Sequence, residues 1–123
     1  MKFIKNFMAL ALMCVVGSGL VQAHHSATMF EAEKTLTLTG AVKEFQYTNP
    51  HAWLIITVAD DSGETTDWSI ELGAPTQLRA AGIGKRTYLP GQEVKAIFHP
   101  MKDGRPAGGH TISITNADGS PIN

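Results

Sequence analysis

Cysteine is almost absent: the single one, Cys14, falls inside an apolar leader. Once that leader is removed no thiol remains, which excludes disulfide staples, thiolate metal sites and cysteine nucleophiles. Long hydrophobic runs are missing as well. The apolar stretch from Phe7 to Val16 is shorter than the ~20 residues a helix needs to cross a bilayer, and no second stretch follows. Nor is there an excess of positive charge. The chain has 10 Lys and Arg against 11 Asp and Glu, and losing Lys2 and Lys5 with the leader moves the net charge from −1 to −3. Phosphate backbones are held by clustered Lys and Arg, so this balance excludes nucleic acid as a partner.

What is present at the start is an export address. Met1-Lys2-Phe3-Ile4-Lys5 is basic, the apolar segment follows, then Gly17-Ser18-Gly19 and Val21-Gln22-Ala23 offer the small residues that a signal peptidase reads. Residues 1–23 are therefore a predicted cleavable signal peptide, and the protein is expected in the periplasm or outside the cell. Ala11-Leu12-Met13 lacks the small residues that a lipoprotein signal places before its cysteine. About 100 residues remain, enough for one core. They divide into an N-terminal arm over 24–34, a β domain over 35–116 and a tail over 117–123.

The β domain is a succession of short alternating runs broken by turn residues. From Thr35 to Tyr47, Leu36, Leu38 and Val42 share one parity while Phe45 and Tyr47 share the other, which predicts a bulge near Lys43-Glu44. Gly40 lets this strand curl. Asn49-Pro50 ends it. Trp53 to Ala59 and Thr66 to Leu72 flank the turn Asp61-Ser62-Gly63 and form a hairpin. Pro75 starts a short helix containing Leu78 that stops at Gly82, with Ala74 a poor cap. A fourth strand runs from Glu93 to His99 with Val94, Ala96 and Phe98 aligned, and a fifth from His110 to Thr115 with Ile112 and Ile114 aligned. The fold class is all-β with one short helix. The order β-β-β-α-β-β, with a curled first strand and the helix between strands three and four, predicts a five-stranded OB-like barrel, with a small open sandwich as the competing reading.

All five histidines follow the signal peptide, and by these boundaries none lies in mid-strand. In an OB barrel the loops between strands one and two and between strands four and five commonly build the binding surface. His51 belongs to the first, and His99 and His110 bracket the second. Cleavage after Ala23 makes His24 the first residue, with an imidazole and a free α-amine that together can chelate one ion. An all-nitrogen set of His24, His51 and His99, with His25 nearby, suits copper ahead of zinc or nickel. If Phe98 and Ile112 both face the core, strand alternation turns His99 and His110 to opposite faces, which leaves His110 out. Met29 and Met101 tolerate Cu(I) but read first as packing residues.

Other chemistries find no support. There is no G-x-S-x-G elbow, and Gly82-Ile83-Gly84-Lys85 follows a helix instead of preceding one. Glu31, Glu33, Glu44 and Glu71 read as solvated strand faces, and Trp53 and Trp68 as core rings.

Several motifs carry a family likeness. They are His24-His25-Ser26 after the signal, Leu38-Thr39-Gly40 with Val42-Lys43-Glu44-Phe45, Asn49-Pro50-His51-Ala52-Trp53 and Trp68-Ser69-Ile70-Glu71. Pro90-Gly91 and His99-Pro100 with Asp103-Gly104 and Gly108-Gly109 complete the set. The chain after the signal resembles, over essentially its whole length, a group of small secreted bacterial proteins known as domain of unknown function 6152. The resemblance implies export and no particular activity. It implies the paired histidines, the Asn-Pro-His and the His-Pro at His24, His25, His51 and His99, and requires neither His110 nor Met101. The expected function is a periplasmic binding protein with a histidine-rich site for copper, one that holds or passes on the ion without turning over a substrate. The alternative is a metal-free OB-type module for a peptide, a glycan or a periplasmic protein partner, and an enzyme in which copper on an amino-terminal histidine activates oxygen ranks third.

Overall fold

The computed structural model describes residues 28–123. The predicted signal peptide and its cleavage point, His24, His25 and the arm before Thr28 lie outside the described residues. Five strands and one helix follow the arm: β1 (Leu36–Gln46), β2 (Trp53–Ala59), β3 (Thr65–Glu71), α1 (Pro75–Ala80), β4 (Glu93–Pro100) and β5 (Ala107–Asn116). The strands close into a barrel in the order β1-β2-β3-β5-β4. That is the OB-like arrangement, all-β with one short helix.

β1 makes closure possible by serving two neighbours. Its first half pairs with β4, Leu36 opposite Phe98 through Ala41 opposite Glu93, and its second half pairs with β2. The strand bends where the β1–β2 register slips between Val42 and Glu44, the bulge that the parity change predicted. Gly40 sits where a Cβ would stand 2.5 Å from the Thr57 carbonyl oxygen, so a side chain there would push β1 from β2. The β2–β3 hairpin turns on Asp60, whose carboxylate accepts from the amides of Ser62 at 2.8 Å and Glu64 at 3.0 Å. Those bonds, with the Ser62 hydroxyl foremost, hold its carboxyl below the ordinary range. Gln77 Oε1 accepts from the Ala74 amide at 3.0 Å and so ties the chain ahead of the helix to its first turn, and Gly82 at φ 82° ends the helical turn.

The core is where alternation placed it. Leu54, Ile56, Ile70, Val94, Ala96 and Phe98 have no exposed surface. Trp68 and Phe45 pack against this cluster while only partly buried.

The fifth strand departs from expectation. It begins at Ala107, so that both His99 and His110 stand within strands. Ile112 is 58% exposed and not part of the core. The cause is local. The β4–β5 register shifts between Ile97 and His99, and His110 adopts φ 46°, so alternation counted back from Ile114 does not carry through the segment. Gly108 and Gly109 precede it because the rings of Phe98 and Phe30 occupy the space their Cβ atoms would need.

Truncating Phe98 to Ala should cost about 3–5 kcal/mol of unfolding free energy. Ile112→Ala should change it by less than about 0.5 kcal/mol. Urea denaturation midpoints at constant m-value check both.

Candidate functional site

His51 ends the loop before β2 and is held by a residue of the next strand. Its Nδ1 lies 2.7 Å from Glu71 Oε1. The hairpin register explains the meeting, since Trp53 stands opposite Glu71. The Glu71 side chain is only 15% exposed, so it is a partner of His51 and not the solvated face residue that the sequence suggested. With Nδ1–H donating to a carboxylate, the lone pair of the ring is left on Nε2.

His99 is held in the same manner by the backbone. Its Nδ1 lies 2.9 Å from the Lys34 carbonyl oxygen and 3.1 Å from that of Glu31. Both partners are acceptors, so Nδ1 carries the hydrogen and the free lone pair is again on Nε2. The arm that supplies these carbonyls is laced to the barrel. Glu31 N donates to Pro100 O at 2.9 Å, Lys102 N donates to Met29 O at 2.9 Å, and Phe30 bridges Met101. Phe30 is 4% exposed, its ring lying where Gly109 has no side chain.

His110 joins this cluster, contrary to the parity argument. Its ring centroid is 5.0 Å from that of Phe30 and 6.1 Å from that of His99, both edge-on. The register shift and the left-handed backbone at His110 turn the two imidazoles toward each other. A non-glycine residue at positive φ stores strain, and such strain gathers where a side chain must be aimed. His110 and His51 also line one cavity. Successive rungs link the whole set: Trp53 opposite Glu71, Ile70 opposite Gly108 and Gly109 opposite His99. His51 and His99 are thus separated by an arc of three strand spacings, roughly 14 Å before the barrel curls it.

Among the described residues no three of His, Cys, Asp and Glu form a group arranged to hold a metal ion. Met29 is 42% exposed and Met101 8%. Both border the small recess beside Lys102 and the Asp103–Arg105 ion pair. No helix among the described residues is long and apolar enough to cross a membrane.

A model of a family of unknown function, DUF6152, matches residues 11–110. No curated protein and no solved structure matches the chain.

Nitrogen-15 NMR of the histidine rings should find His51 and His99 as Nδ1–H tautomers in their neutral form. His99→Ala should also release the arm, raising amide exchange at Glu31 and Lys102 by about tenfold or more, the equivalent of losing hydrogen bonds worth about 1.5 kcal/mol.

Proposed function

We propose that this chain, which belongs to the DUF6152 family of unknown function, is an exported bacterial protein that binds copper through imidazole and amine nitrogens. The ligands are His24, by its ring and its α-amine after signal cleavage, with the Nε2 atoms of His51 and His99 and with His25 close by. The observation that carries the reading is the matched pinning of His51 and His99. Each gives Nδ1–H to an oxygen, at 2.7 Å for His51 and at 2.9 and 3.1 Å for His99. Metal-bound histidines are oriented in this way by their surroundings, and the pinned hydrogen raises the basicity of the opposite nitrogen.

Covalent reach supports the amino-terminal contribution. Five residues separate His24 from Phe30, a span of at most about 22 Å, and Phe30 touches His110 and Gly109 beside His99. A donor set made only of nitrogens favours Cu(II) by the affinity order of divalent ions, with zinc and nickel following. The role is binding or transfer of the ion. Nothing among the described residues designates a substrate for turnover.

Cu(II) titration compares protein beginning at His24 with protein bearing one extra residue before it. The native start should bind at least about tenfold more tightly, and His51→Ala or His99→Ala should each lose a similar factor. Equal, weak binding in all four proteins would remove the reading.

A further inference from the structure

The barrel wall parts between β3 and β5. These strands share only the rungs Ser69 with Ala107 and Ile70 with Gly108. Past them the strands diverge, tied by the Thr111 hydroxyl donating to the Glu71 carbonyl at 2.9 Å. The opening leads into a cavity of about 510 Å³. That volume is typical of small-molecule pockets.

The lining is part apolar and part polar. Leu72, Leu78, Ile83 and Ile114 supply aliphatic surface, and the His51–Glu71 pair and His110 supply polar groups. Tyr88 also borders the cavity and is 5% exposed. No side-chain nitrogen or oxygen among the described residues is both fully buried and without a hydrogen bond. The Tyr88 hydroxyl, which bonds to no protein atom among those residues, is therefore reached by solvent. Burial pushes its pKa up, so it stays a neutral donor.

Charge decides the class of ligand. Among the described residues no lysine or arginine lines the cavity, and its one carboxylate is Glu71. One Glu71 oxygen accepts from His51, which leaves the other as an acceptor. A carboxylate or phosphate head would meet Glu71 with no lysine or arginine to offset the repulsion. A hydroxyl can donate to that oxygen or to His51 Nε2, while an apolar body lies along the aliphatic surface.

We infer that this cavity binds a small uncharged amphiphile, a hydroxyl-bearing hydrocarbon in chemical class, with its hydroxyl at Glu71 and its hydrocarbon against Leu72, Ile83 and Ile114. The site needs no metal, and Glu71 offers the hydroxyl an acceptor that copper on His51 would not occupy.

Three probes of similar size test it: 4-propylphenol, propylbenzene and 4-propylbenzoate. Each is titrated into the purified protein in the presence of EDTA, with backbone amides followed by NMR. Saturable shifts are expected at Gly73, Thr111 and Ile112, with the phenol bound about fivefold more tightly than propylbenzene, the worth of one hydrogen bond. The benzoate should bind most weakly, and Glu71→Gln should narrow its deficit against the phenol. Equal affinity for all three probes, or shifts that leave those amides unmoved, would overturn the inference. Because chelator is present throughout, neither result depends on the copper reading.

Discussion

The His99 ring is the fastening on which the rest of the site depends. One Nδ1–H shared between the carbonyls of Glu31 and Lys34 fixes the tautomer of the ring. The same contact ties the arm to the end of β4 and sets where the chain enters the barrel. Phe30 follows from it. Its ring is seated over Gly109 and against His110, closing that end of the core with a side chain from outside the strands. A chain predicted to start, once processed, at a pair of histidines is thus anchored a few residues later, beside two further imidazoles.

Barrel topology supplies the remaining constraint. Hydrogen bonding around five strands is continuous except at the parallel β3–β5 seam, which has only two rungs. A short seam leaves backbone and side chains of β5 facing solvent next to the end of β3, and the cavity forms there. The polar pair His51–Glu71 lies at the margin of this seam because β2 and β3 form a tight hairpin with Trp53 opposite Glu71. Metal ligation and occupation of the cavity would share His51, so one could influence the other through that ring.

Much of this was legible in the residues themselves. The change of parity after Val42 marked the bulge in β1, Pro75 and Gly82 bounded the helix, and Val94, Ala96 and Phe98 identified the inner face of β4. These features obey local rules that one strand or one turn satisfies alone. Glu71 as the partner of His51 was available too, by counting the hairpin register out from Asp61-Ser62-Gly63. What the sequence concealed was the behaviour of β5. Alternation predicted Ile112 inside and His110 turned from His99, yet the register shift after Ile97 and the positive φ of His110 reset the phase. Two successive glycines hinted at an irregular backbone. Their cause, the rings of Phe98 and Phe30, comes from elements distant in sequence. The fastening of the arm was hidden for the same reason, since it uses backbone carbonyls that any residue carries.

The central claim is that the outward nitrogens of His51 and His99 meet the amino terminus at one ion. Anomalous diffraction at the copper edge, from crystals of the processed protein grown with one equivalent of Cu(II), tests it most directly. The account predicts a single strong peak about 2 Å from Nε2 of His51, Nε2 of His99 and the α-amine of His24. A peak elsewhere on the surface, or rings of His51 and His99 pointing away from any copper, would contradict it.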